Sequence, residues 1–215
     1  MKNILTNHQS NHKKDHHYQK ARKEGFRARS AYKLLDIQKR YNIFKRAFYI
    51  LDLGSAPGSW LQVAKEFAEH NIIRYNDQFY HRDHYKILGV DIKKISSIEN
   101  VDFLLMDFTN PDFPNMVQSY FQNKIDLIIS DASINKIGNK FSDHLNQINL
   151  CYNILDIAKI HLKVRGVLVL KTFQGSDFKK LFSKIKTEFK LLKAYKPKSS
   201  KKKSNEIYLI GLQKK

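Results

Sequence analysis

The chain has 215 residues with 42% apolar side chains and a net charge of +19. That is enough for one packed domain, and it argues against a disordered chain. Cys151 is the only cysteine, so an internal disulfide is excluded, and no apolar run has the length of a transmembrane helix. The charge is unevenly placed: residues 1–49 carry 13 Lys/Arg against 3 Asp/Glu, residues 179–215 carry 13 against 2, and the middle carries 13 against 15. Two basic ends around a neutral centre fit a polyanion better than a membrane surface.

The first residues are rich in Asn, His and Lys and lack the apolar stretch of a secretion signal, so a reducing, cytoplasmic setting is expected. Residues 1–25 read as a basic, partly flexible arm and residues 26–215 as the globular domain. From Ala47 onward strands and helices alternate, which predicts an α/β fold with a mainly parallel sheet. AFYILDLG (47–54) is the first buried strand, and a helix follows over 59–69. Residues 70–85 read as an enlarged surface loop. Strands are expected over 86–92, 101–108 and 125–131, then a long helix over 143–162. A fifth strand covers 166–173, a helix 176–188, and two late strands 189–195 and 206–212, joined by the basic link KPKSSKKKSN (196–205).

In such sheets ligands bind beyond the carboxyl ends of the strands. Four strand ends here carry acids or a glycine-rich turn: Asp52-Leu53-Gly54-Ser55-Ala56-Pro57-Gly58-Ser59-Trp60, then Asp91, Asp107 and Asp131. Each acid alone fits an ordinary turn or cap residue; four consecutive strand ends of this kind are more specific. So many carboxylates repel a pyrophosphate, and the glycine spacing is not that of a dinucleotide site. A nucleoside with a cationic tail fits: S-adenosylmethionine joins an adenine and a ribose diol to a sulfonium.

These residues resemble the FtsJ/RrmJ (RlmE) family of bacterial large-subunit ribosomal RNA methyltransferases. The resemblance runs from about residue 15 to the C-terminus. It rests on ARSAYKL (28–34), DLGSAPGSWLQVA (52–64), MDF (106–108), IISDASIN (128–135), VLKTFQG (169–175) and KPKSSKKKSNEIYLI (196–210), in that order. The resemblance implies a Rossmann-like S-adenosylmethionine-dependent methyltransferase fold, a seven-stranded, mostly parallel sheet with an antiparallel last strand. It implies S-adenosylmethionine contacts at Gly58, Trp60, Asp91, Asp107 and Asp131, and a catalytic set of Lys33, Asp131, Lys171 and Glu206. The implied reaction is methyl transfer to a uridine ribose 2′-hydroxyl of 23S ribosomal RNA, within the large subunit, by a monomer with no membrane association. The chain departs from the family pattern where Ser59 replaces a glycine, Ile134 a proline after the Asp131 motif, and Lys94 a proline after the second-strand acid.

A ribose hydroxyl is a poor nucleophile at neutral pH, and Lys171 is the expected proton acceptor. An unperturbed lysine is protonated there, with a pKa near about 10.4. Asp131 pushes that value up, while Lys33 and burial push it down. The basic residues His12, Lys13, Lys14, Lys20, Arg22, Lys23, Arg27 and Arg29, with the link from Lys196 to Lys203, are expected to meet RNA phosphates. Tyr18, Phe26 and Tyr32 are candidates for base stacking, with core packing as good a fit for Phe26 and Tyr32. The nine histidines show no zinc spacing, and no metal is expected. The alternatives are a 2′-O-methyltransferase acting on tRNA, an mRNA cap or another RNA, a nicotinamide oxidoreductase, and a non-catalytic RNA-binding assembly protein.

Overall fold

The computed structural model describes residues 16–76, 83–134, 138–201 and 203–215. In chain order these form α1 (His16–Lys23), α2 (Ala31–Tyr41), β1 (Tyr49–Leu53), α3 (Ser59–Tyr75), β2 (Lys86–Asp91), β3 (Asp102–Leu105) and α4 (Phe113–Phe121). They continue as β4 (Ile125–Ser130), α5 (Lys140–His161), β5 (Leu162–Phe173), α6 (Phe178–Glu188), β6 (Phe189–Tyr195) and β7 (Glu206–Lys214). The strands make one sheet in the order β3-β2-β1-β4-β5-β7-β6. All neighbours from β3 to β5 are parallel, and β7 runs antiparallel to both β5 and β6.

A parallel strand covered on both faces needs an unbroken apolar run. β1, β2 and β4 have one, and nearly all their residues are buried. Successive side chains point to opposite faces, which divides the core into two. Leu51, Leu53, Ile128, Leu168 and Leu170 face α4, α5 and α6. Ile50, Leu127, Ile129, Val169 and Ile210 face α2 and α3.

Three features differ from the sequence expectation. The helix expected to stop at residue 69 runs on to Tyr75, so residues 70–75 of the expected 70–85 loop are helical. Asn71 explains this: its buried amide donates to the carbonyls of Phe44 (2.7 Å) and Ala47 (3.0 Å), and Tyr75 packs edge-on against Phe48. A residue that looks like a loop former is an anchor between α3 and the entry to β1; residues 77–82 lie outside the described ones. Secondly, α4 was not anticipated; Pro114 sits in its first turn, where a missing N–H costs nothing. Thirdly, part of the basic arm is a helix, with Ala21 buried and Lys20 over the ring of Tyr32.

Strand register sets the functional rim. Leu53 of β1 lies beside Val90 of β2 and Ser130 of β4, so the residues after them, Gly54, Asp91 and Asp131, emerge together. β2 and β4 leave β1 on opposite sides, and this switch point opens a crevice. On the antiparallel side, Lys171 pairs with Tyr208 and Phe173 with Glu206.

At the opposite end of the sheet, α5 finishes on His161. Lys124 donates to the Ile160 carbonyl (2.6 Å), and Lys214 to those of Lys159 (2.6 Å) and Leu162 (2.9 Å), giving the last turn of the helix its missing donors. His161 is buried beside these two ammonium groups, its Nε2 without a partner. Burial first, and then the charges of Lys124 and Lys214, push its pKa down from 6.5 to about 4. The unfolded chain therefore takes up a proton here before the folded one does, and stability falls as pH drops from 6.5 towards 4. Urea unfolding across that window should show the decline, and His161→Phe should flatten it by up to about 3 kcal/mol.

Candidate active site

The turn after β1 brings the backbone close to β4. Gly54 has φ +78°, and a Cβ there would stand 2.6 Å from that of Ala132, so only glycine fits. Gly58 has φ +103° and opens α3. Asp91 accepts from the N–H groups of Ala56 (2.8 Å) and Lys93 (2.8 Å), which ties the end of β2 to this turn. Asp107 holds its own turn, accepting from the Thr109 N–H and hydroxyl, both at 2.8 Å. The ordinary reading of these two acids as turn residues is thus realised. They also line, with Gly54, Ala56, Phe108 and Asp131, a cleft of about 330 Å³ at the switch point.

Behind the cleft, Asp52 is fully buried and neither carboxyl oxygen has a hydrogen-bond partner. Burial, then the charges of Asp131 and Asp91, raise its pKa well above the usual carboxylate value. A buried, unmatched carboxyl beside two more acids is a site prepared for positive charge. The cleft therefore fits S-adenosylmethionine, whose sulfonium and ammonium groups are cationic, and suits a dinucleotide phosphate poorly.

The expected catalytic residues meet on the far side of Asp131. Lys33, from α2, lies 2.8 Å from Glu206 Oε1, 2.9 Å from Oε2 and 3.9 Å from Asp131 Oδ1. Lys171 donates to the backbone carbonyl of Asp131 (2.6 Å) and stands 3.2 Å from its Oδ1. Two lysines and two acids thus meet in a largely buried cluster, with Lys171 8% and Lys33 12% exposed at the side chain.

Tyr208, which the sequence reading missed, completes the cluster. Its hydroxyl donates to Asp131 Oδ1 at 2.5 Å. Burial, followed by the charges of Asp131 and Glu206, raises its pKa well above the ordinary phenol value, so it remains a neutral donor. The available signal was strand periodicity: in β7, Tyr208 follows Glu206 by two residues and shares its face.

Gly58 and Trp60 are outside the lining of the cleft. Trp60 is buried, its ring 5.8 Å from that of Tyr208, and its Nε1–H donates to the Ser30 carbonyl (2.9 Å). It supports Tyr208 and fixes the start of α2, from which Lys33 projects. Ser59 adds a second tie, its hydroxyl 2.8 Å from that of Ser30. Cys151 is buried against the Lys171 carbonyl; burial pushes its thiol up to about 11, leaving no reactive thiolate.

The expected RNA contacts divide. Arg27 donates to the carbonyls of Pro57 (3.3 Å), Ser96 (2.8 Å) and Ser97 (2.7 Å), bracing the turn around Gly58. Tyr32 is a core residue, edge-on to Phe26 with its hydroxyl donated to Glu24. Arg29 reaches the Ser199 carbonyl (3.1 Å), joining α2 to the β6–β7 link. His12, Lys13, Lys14 and Lys202 lie outside the described residues. Among the described residues, no group of three His, Cys, Asp or Glu side chains is placed to hold a metal, and no helix is long and apolar enough to cross a membrane.

A doubly wound sheet of this order, with an acidic cleft at its switch point, defines a Rossmann-like S-adenosylmethionine-dependent methyltransferase. The FtsJ-like methyltransferase model matches residues 26–214, and the chain belongs to that family. It is 38% identical over 192 residues to ribosomal RNA large subunit methyltransferase E of Ehrlichia chaffeensis, covering 89% of this chain and 85% of that one. Its identity to the protein of the same name from Rickettsia africae is 37% over 201 residues, covering 94% and 85%. A crystal structure of a Plasmodium falciparum protein described as a ribosomal RNA methyltransferase superposes with a TM-score of 0.71 at 31% identity, covering 88% of this chain and 98% of that one.

Asp52 yields a test of the cofactor cleft. Burial and the neighbouring acids resist ionisation of its carboxyl, so the ligand-free protein carries a cost that grows as pH rises above the ordinary carboxylate range. Asp52→Asn should raise the melting temperature of the ligand-free protein at pH 8. The same change should weaken S-adenosylmethionine binding, read by calorimetry, by about tenfold or more.

Proposed function

We propose that the protein transfers the methyl group of S-adenosylmethionine to the ribose 2′-hydroxyl of a uridine in large-subunit (23S) ribosomal RNA. The observation that carries this is the Lys33–Asp131–Lys171–Glu206 cluster standing directly beside the acidic cleft. The names of the relatives support ribosomal RNA as the substrate. When bound, S-adenosylmethionine supplies an electrophilic methyl on a sulfonium. Gly54, Asp91, Asp107 and Asp131 would hold it, with Gly58 and Trp60 shaping the turn and its support.

Lys171 is the proposed proton acceptor. A neutral amine has two N–H donors and one lone pair. This nitrogen donates to the Asp131 carbonyl and lies 3.2 Å from the carboxylate Oδ1, and its lone pair would take the ribose proton. Asp131 orients Lys171 and is itself held by Tyr208. Lys33, paired with Glu206, would stabilise the ribose oxygen as it becomes negative. Alignment of this hydroxyl is as important as its deprotonation, because methyl transfer is in-line.

The basic arm of residues 1–25 and the 196–203 link would engage RNA backbone. A cytoplasmic monomer acting on the large subunit is the setting that suits these features. Incubation with radiolabelled S-adenosylmethionine, ribosomal subunits and tRNA, followed by mapping of the labelled ribose, tests the reaction. Label on a uridine of 23S RNA is the expected result. Label in tRNA would move the substrate, and RNA binding without transfer would remove the enzyme reading. Lys171→Ala should slow turnover by roughly 10²–10⁴-fold with S-adenosylmethionine affinity near normal. Turnover near the wild-type rate in that variant would eliminate Lys171 as the base.

A further inference from the structure

The catalytic cluster has cavities on both flanks as well as the cofactor cleft. A cavity of about 520 Å³ lies between the start of α5 and the ends of β5 and β7, lined by Ile134, His144, Phe173, Gln174 and Asn205 among others. It touches the cluster in two places: Asn205 precedes Glu206 in the chain, and Phe173 pairs with Glu206 across the sheet. It meets the cofactor cleft at Ile134, which lines both. On the other flank a smaller cavity of about 230 Å³ is lined by Arg29, Lys33 and Lys201.

We propose that the larger cavity receives the base of the acceptor nucleotide, with Phe141 stacking on it, while the smaller cationic cavity receives the adjoining phosphate. The inference rests on the ribose-methylation reading above. A 2′-oxygen seated between Lys171 and Lys33 puts its ribose over the cluster, so base and phosphate must leave in different directions. The two cavities differ in charge: Arg29, Lys33 and Lys201 outweigh Glu206 in the smaller, whereas Lys203 and Asp143 offset each other in the larger, which also has an aromatic and amide wall.

Phe141 supplies the independent observation. It is 72% exposed in the first turn of α5, a position where a large aromatic ring gains nothing from the core. It shares a helix face with His144 at i+3 and Leu145 at i+4, and His144 lines the cavity. Phe141 is not itself in the cavity wall, but it stands one helical turn before His144, which is, and an exposed ring at that distance from a ribose-handling cluster is within reach to stack on a base. The side-chain amides of Gln174 and Asn205 have no hydrogen-bond partner among the described residues and offer both donors and acceptors to a base edge.

The test combines kinetics and a binding signal. With the RNA that the wild-type protein labels, Phe141→Ala should raise KM about tenfold and leave S-adenosylmethionine binding unchanged, and Phe141→Tyr should restore KM. Replacing the acceptor nucleotide by an abasic ribose should raise KM for the wild type but add nothing to Phe141→Ala. Separately, the emission of Phe141→Trp should be quenched by a short uridine-containing RNA and not by its abasic counterpart. Trp60, the single native tryptophan, is buried and provides the control. An unaltered KM for Phe141→Ala, or equal effects of base and abasic RNA in these measurements, would overturn the proposal. If the wild type labels no RNA at all, the methylation reading fails, and the quenching comparison still decides whether Phe141 meets a base.

Discussion

Asp131 directly follows β4 and stands among two lysine side chains and a phenol, and the rest of the rim takes its position from that one carboxylate. Its Oδ1 accepts from Tyr208 at 2.5 Å and faces Lys171 at 3.2 Å and Lys33 at 3.9 Å, while its backbone carbonyl holds Lys171 a second time. These partners come from three separate elements, so the cluster exists only when α2, β5 and β7 are all docked. Sheet order makes that possible. β4 neighbours β5, and β5 neighbours β7, which brings a residue near the C-terminus beside one near the middle. α2 then has to be placed from outside the sheet, and the Trp60 and Ser59 contacts to Ser30 place it.

Charge is divided across Asp131 in a way that suits two substrates of opposite sign. On one side stand Asp91 and Asp107, neither of them in an ion pair among the described residues, with Asp52 buried behind them. On the other stand Lys33, Lys171 and, further out, Arg29 and Lys201. A cationic methyl donor is drawn to the first side and a polyanion to the second, and Asp131 lies at the seam. The excess of basic residues in the two ends of the sequence serves the second side, since α2 and the β6–β7 link both arrive there. Not every basic residue is spent on that field. Arg27 braces carbonyls around the glycine turn, and Lys124 and Lys214 complete the end of α5.

The strands were legible in the sequence because a parallel strand buried on both faces has to be a continuous apolar run, and the acids that interrupt those runs mark the rim. Of the four side chains proposed for catalysis, Asp131 stood out as a strand-end acid and Lys171 as a lysine ending an apolar run, whereas Lys33 and Glu206 by themselves look like surface residues and were legible only through the shared family pattern. Tertiary contacts decided what the local pattern concealed. Asn71 extends α3 because two backbone carbonyls of another segment accept from it. Tyr208 resembles a core aromatic until the register with Lys171 brings its hydroxyl to Asp131. Asp52 reads as one more turn acid, and only its total burial, without a hydrogen-bond partner among the described residues, sets it apart behind the cleft.

The departures from the family pattern follow the same logic of substituted contacts. A proline after the Asp131 motif stiffens the cleft wall by fixing its own φ and having no N–H to satisfy. Ile134 has an N–H, and it donates to Oε1 of Gln147 at 3.1 Å. Gln147 is buried in α5 and also reaches the Ala132 carbonyl at 3.4 Å, so one helix side chain holds two points of the loop. A hydrogen bond from a neighbouring element thus takes over a constraint that proline would impose through its ring. Ser59 does likewise where the family has glycine: its side chain is buried and directed to the Ser30 hydroxyl, adding a tie between α2 and α3 close to Lys33. In both places stiffness has moved from the backbone to a side-chain contact, and the groups that must meet at Asp131 remain where the reaction needs them.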